Sequence, residues 1–207
     1  MIGRGFSASV PASPVARLSA IVILFVFLAS PATAHEGAGA VGGFASGFSH
    51  PLLGWDHIAA MVAVGLWGAF LGAPAIWVLP VVFPMVMALG GALGILGVPL
   101  PGVEIGIALS AIVLGLMVAF KVRPPIRVAA VVVGFFAIFH GHAHGTELPA
   151  AADAVAYAGG FVVATGLLHL SGITLGVLTK WRAGQVAIRA LGAAIAVAGA
   201  AFLAGVA

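Results

Sequence analysis

The stretch AIWVLPVVFPMVMALGGALGIL, Ala75 to Leu96, contains no charged residue. A helix that crosses the hydrocarbon core of a bilayer needs about 20 consecutive apolar residues, and this stretch supplies them. The rest of the chain repeats the pattern. Soluble globular domains carry roughly 25% charged residues, whereas this 207-residue chain has 6%, with 63% hydrophobic residues and a mean hydropathy of +1.27. The composition is that of an integral membrane protein.

Working outward from Ala75–Leu96, further apolar runs are separated by Gly, Pro or charged breaks. They predict helices near Leu53–Leu71, Val103–Phe120, Ile126–His144, Ala151–Leu178 and Gln185–Val206. With the first stretch this makes six spans. The breaks at Gly72–Pro74, Gly97–Gly102, Arg123–Pro125 and Gly145–Pro149 are short, so no soluble domain is inserted between helices. Ahead of them, Arg4 and Arg17 flank the start of a short apolar run, Leu18–Ser30, and Ala32-Thr33-Ala34 has the small-residue pattern of a secretory cleavage site. The expected organisation is a signal peptide, residues 1–34, followed by a single all-α domain, residues 35–207. That domain is a polytopic membrane bundle of six transmembrane helices.

Orientation follows from the basic residues. Lys121, Arg123 and Arg127 surround the break between the third and fourth spans, and Lys180, Arg182 and Arg189 that between the fifth and sixth. Basic loops stay on the cytoplasmic side, so the mature termini are expected outside, on the periplasmic face of a bacterial inner membrane. The pI of 10.2 then reflects topology, and no nucleic-acid partner is implied. All five acids, Glu36, Asp56, Glu104, Glu147 and Asp153, fall on or near the outer face.

Against this apolar background, five of the seven histidines lie in two stretches, His50-Pro-Leu-Leu-Gly-Trp-Asp56-His57 and Phe139-His140-Gly-His142-Ala-His144-Gly-Thr-Glu147. Ionisable groups in membrane helices are expensive and mark ion or substrate paths. The chain has no cysteine, so a metal would be held by nitrogen, oxygen or thioether. His140 and His144 stand one turn apart on one helix face, with Glu147 next if the helix continues; His142 points away from that face and is a further metal candidate, one that touches only water or binds loosely. Gly141 and Gly145 have the small-xxx-small spacing that lets another helix approach closely.

In the first stretch, Pro51 suits the opening turn of a helix, which puts His50 just before it and Asp56 and His57 in its early turns. In a straight helix His50 and His57 would stand about 10 Å apart along the axis, too far to share one ion. Either Gly54 breaks the first turn or the two histidines act in succession. Asp56 either ligates directly or orients a histidine's second ring nitrogen. His35, which cleavage would leave as the N-terminal residue, offers an amine and an imidazole at the entrance, on a glycine-rich segment.

These two motifs, His50-x5-Asp56-His57 and Phe139-His-Gly-x-Ala-His-Gly-x-Glu147, resemble those of the HupE/UreJ family, hydrogenase- and urease-associated membrane proteins regarded as nickel or cobalt permeases. The resemblance covers the whole chain. It implies that His50, Asp56, His57, His140, His144 and Glu147 carry metal recognition. It also implies that the partners are a divalent ion, Ni2+ or Co2+, carried as cargo rather than held as a prosthetic group, the bilayer, and the maturation machinery of a nickel enzyme. Imidazole with carboxylate and no thiolate disfavours copper(I) and magnesium; nickel or cobalt is what the resemblance adds.

The expected function is facilitated uptake driven by membrane potential, since the chain has no Gly-x4-Gly-Lys-Ser/Thr phosphate loop. Two rivals belong to other classes. One is a metal-binding accessory protein without transport, the other a b-type haem protein with axial ligands from His57, His140, His144 and His169. A hydrolase is disfavoured by the lack of a His-Glu-x-x-His or Gly-x-Ser-x-Gly pattern. Met61 reads as core, and Trp55, Trp67, Trp77 and Trp181 as interfacial anchors.

Overall fold

The computed structural model describes residues 43–148 and 153–205, and every regular element among them is helical. In chain order these are α1 (Gly43–Leu53), α2 (Trp55–Leu71), α3 (Ala75–Ile95), α4 (Val103–Ala119), α5 (Ile126–Thr146), α6 (Ala154–Gly176) with a 3-10 extension Val177–Lys180, and α7 (Arg182–Leu203). The expected signal peptide and His35 lie outside the described residues. Helices α2 to α7 match the expected runs to within a few residues. α1 is an addition, because GFASGFSHPLL is rich in Gly and Ser and shows no spanning-length apolar run.

Among the described residues four helices are long and apolar enough to cross a membrane: α3, α5, α6 with its extension, and α7. The pair α1 and α2 makes a fifth crossing if it counts as one span bent by 84°. α4 is apolar but has 17 residues, about 25 Å of helix. The coarse expectation of an α-helical membrane protein therefore holds.

The bundle is assembled through glycines. A Cβ on Gly141 would stand 1.9 Å from the Met87 carbonyl oxygen, and one on Gly145 would stand 2.2 Å from that of Gly91. α3 thus lies against the small-xxx-small face of α5, as the Gly141/Gly145 spacing predicts. α1 is seated on α6 in the same way, with a Gly47 Cβ 1.9 Å from the Tyr157 carbonyl oxygen and a Gly160 Cβ 2.0 Å from that of Phe44. This close approach holds α1 as a helix despite its weak local propensity.

α2 is buried on all sides from Ala60 to Gly68, the pattern of a helix at the centre of a bundle. Met61 is fully buried in its core. Trp67 departs from the expected anchor role: it is also fully buried, and its Nε1–H donates to the Val122 carbonyl at 3.0 Å. Trp55, Trp77 and Trp181 are exposed. At the same end of the bundle Lys121 Nζ donates to Gln185 Oε1 at 2.8 Å and Arg189 Nε to the Ala119 carbonyl at 2.8 Å, so the two basic breaks come together. The opposite end carries Asp56, Glu104 and Glu147.

Candidate metal centre

Gly54 decides how the first motif is presented. It adopts φ −92° and ψ 113° between α1 and α2, and the chain turns there by 84°. His50 and Pro51 therefore lie in the last turns of α1, not ahead of the following helix, while Asp56 and His57 open α2 as expected. The turn is broken at Gly54, and the two histidines also stand at successive depths of the cluster. Gly54 is further constrained by space, since a Cβ there would stand 2.8 Å from Asp56 Oδ1 and 2.9 Å from His57 Nδ1.

The bend brings both ends of the first motif against α5. The His50 ring lies 4.8 Å from the His144 ring, and the His57 ring lies 4.6 Å from His144 and 5.0 Å from His140, centroid to centroid. Glu147 caps the group, with Oε2 3.1 Å from His50 Nε2 and 4.0 Å from His144 Nδ1. His50, His144 and Glu147 each offer one ligand atom, and these lie within 4.8 Å of one another. Ligands bound at about 2.1 Å can lie at most about twice that distance apart, so a small side-chain adjustment closes the trio on one ion. His144 is the hinge of the cluster, because it touches His50 on one side and His57 on the other.

The hydrogen bonds leave particular nitrogens free to ligate. Asp56 Oδ1 accepts from the His57 backbone N–H and lies 2.8 Å from His57 Nδ1. A carboxylate only accepts, so Nδ1 carries the proton and Nε2 keeps its lone pair. At His140 the Ser110 hydroxyl donates to the Ile107 carbonyl at 2.6 Å, which leaves its oxygen to accept from His140 Nε2, 2.9 Å away. His140 Nδ1 then holds the lone pair. His57 Nε2, His140 Nδ1 and both nitrogens of His144 are buried without hydrogen-bond partners among the described residues. Outer groups that fix the tautomer and raise the basicity of a ligating imidazole are a regular feature of metal sites.

The mouth is open. A depression of about 490 Å³ is lined by His50, Leu53, Gly54, Asp56, His57, Glu104, Ile107, Ala143 and Glu147. Three carboxylates around one concavity concentrate cations there. From Glu147, 53% exposed at its side chain, the row passes to His140, which is fully buried.

The remaining sequence-predicted positions separate cleanly. His142 is turned from the cluster, and its Nε2 bonds the Val98 carbonyl at 2.7 Å. Asp153 caps α6, accepting from the backbone N–H groups of Val155 and Ala156 at 2.9 and 3.1 Å. Glu104 and Ser110 are the site residues that the motifs do not contain. A single serine in an apolar helix gives no pattern to read, and its role rests on a partner 30 residues away.

Residues 23–202 match the HupE / UreJ protein family. The chain belongs to the HupE/UreJ family. It is also similar to Protein HupE of Rhizobium leguminosarum bv. viciae, 50% identical over 190 residues, which is 91% of this chain and the whole of that protein. No solved structure matches it. Membership agrees with the resemblance carried by the two histidine motifs, both of which fall inside the matched residues.

Proposed function

We propose that the protein is a facilitator of divalent nickel, or cobalt, uptake across the bacterial inner membrane, with the histidine end facing the periplasm. The observation that carries this reading is the double contact of His144. It joins His50 and Glu147 at the mouth to His57 and His140 in the interior, which gives a graded row of nitrogen and oxygen donors. A row with an exposed end and a buried end suits passage, since conduction requires binding firm enough to enter and loose enough to leave.

The driving force is already present in a polarised membrane. An inside-negative potential favours entry by about 2.3 kcal/mol per charge per 100 mV, and by roughly double that for a divalent ion. Six basic residues at the other end of the bundle support the orientation through the positive-inside rule. The ring contacts of His57 with His140 and His144, at 5.0 and 4.6 Å, favour an ion over a haem, whose two axial imidazoles must stand apart across a macrocycle.

The test is nickel accumulation by cells expressing the protein, compared at equal membrane abundance with a His57→Ala, His140→Ala double variant. Accumulation above the empty-vector level in the wild type, lost in the variant, is expected. Accumulation equal to the empty vector in both overturns transport; retained binding by the purified wild type would then favour an accessory role in delivering metal to an enzyme's maturation machinery.

A further inference from the structure

Below the cluster, one more histidine is buried with no role in it. His169 on α6 is 1% exposed, and among the described residues neither ring nitrogen makes a well-formed hydrogen bond. Thr165, one turn earlier on the same face, is 0% exposed, and its hydroxyl is also unpartnered. A third group faces them from α3. The His169 ring lies beside the Pro80 carbonyl, whose helical donor would be the N–H of residue 84. That residue is Pro84, which has none.

Unpartnered polar groups in a bilayer interior are costly, so a buried imidazole and a buried hydroxyl left so on one helix face, beside a carbonyl without its helical donor, call for a physical reason. Helix packing alone gives none. A Cβ on Gly65 would stand 2.1 Å from the His169 carbonyl oxygen, so α2 and α6 are already pressed together and an aliphatic residue would fill position 169 without the polar cost.

The position relative to the outer cluster is informative. The Phe83 ring stands 5.4 Å from the His140 ring and 5.3 Å from that of His169, and it is fully buried. One aromatic side chain thus touches the innermost imidazole of the cluster and the isolated one. His169 lies seven residues before the end of α6 at Gly176, about 10 Å from that end and toward the basic end of the bundle.

We infer that His169, with the Thr165 hydroxyl and the Pro80 carbonyl, forms a second cation station for a divalent first-row transition metal, separated from the outer cluster by Phe83. This rests on the uptake reading and extends it: an ion leaving His140 passes Phe83 and finds an imidazole and two oxygens before release. A mixed nitrogen and oxygen set binds such ions more loosely than a closed cage of imidazoles and thiolates, as an exit station requires.

The experiment uses the purified full-length protein and its His169→Asn, His169→Ala and His57→Ala variants. Bound Ni2+ is counted by equilibrium dialysis, and uptake is measured in proteoliposomes. Asn keeps an amide donor for the Pro80 carbonyl and most of the volume, so it separates ligation from packing. The expected result is one ion fewer per chain in both His169 variants, with uptake reduced about tenfold or more and the protein still monodisperse. Wild-type ion count and uptake in His169→Asn overturn the station, as does loss of uptake with an unchanged ion count, which marks a packing role. If His57→Ala is impaired while His169→Asn is not, only the inner station falls. If His57→Ala also binds and transports like the wild type, the outer-site reading falls with it.

Discussion

Asp56 Oδ1 lies 2.8 Å from both the ring Nδ1 and the backbone nitrogen of the next residue, His57. Two adjacent residues at the start of α2 are thus locked together, and the imidazole is left with only Nε2 to offer. Of the two roles the sequence leaves open for the aspartate, these contacts fit orientation of the histidine. In Asp56→Asn the side chain stays in place but loses its charge and holds the Nδ1–H tautomer less firmly. Nickel affinity should fall about 10- to 100-fold with helical content unchanged. Unaltered affinity measured by equilibrium dialysis would show that the pair does not orient a ligand.

Ser110→Ala tests the corresponding support of His140. Removing the hydroxyl leaves His140 Nε2 without its only partner, at a cost to stability of about 1–3 kcal/mol. It also frees the ring to adopt the other tautomer. The apparent affinity for nickel should weaken about tenfold, whereas Ser110→Thr, which restores a hydroxyl, should recover part of it. Equal uptake by the Ala and wild-type proteins would place Ser110 outside the site.

Gly54→Ala is expected to impair function without unfolding the chain. The backbone at φ −92° is accessible to alanine, so the substitution carries no conformational strain. The added Cβ would meet Asp56 Oδ1 and His57 Nδ1 below 3.0 Å, displacing the pair. Uptake should drop about tenfold or more while thermal stability of the purified protein changes little. Normal uptake would show that the pair tolerates movement.

Much of this was legible from residue patterns, and what was not has identifiable causes. The apolar runs locate α2 to α7 because burial in lipid demands continuous hydrophobicity. The i, i+4 pair His140/His144 and the outward turn of His142 follow from helical periodicity. α1 was hidden because its glycines, unfavourable for an isolated helix, are what allow it to lie on α6. Trp67 reads as an anchor by its place near a span end, yet it is buried because the break after α4 folds back to meet its indole N–H. Ser110 and the Pro80 carbonyl are visible only once helices distant in sequence are side by side.

The pH dependence has a definite sign. Imidazoles bind metal in their neutral form, and an unperturbed imidazole with a pKa of about 6.5 is neutral only about 3% of the time at pH 5. Burial disfavours the charged imidazole, so capture by a buried row should weaken only below that value and reach a plateau above it. Initial uptake rates from pH 5 to 8 at constant membrane potential provide the check. A rate that rises as the pH falls would count against imidazole capture.

The most direct measurement is the initial rate of radiolabelled Ni2+ and Co2+ entry into proteoliposomes containing the wild-type protein or the His57→Ala, His140→Ala double variant, with and without an imposed inside-negative potential. The expected result is entry by the wild type that accelerates with the potential and falls to the protein-free level in the double variant. Entry that ignores the potential, or that survives loss of both histidines, would contradict downhill uptake through the site at which His57, His140 and His144 meet.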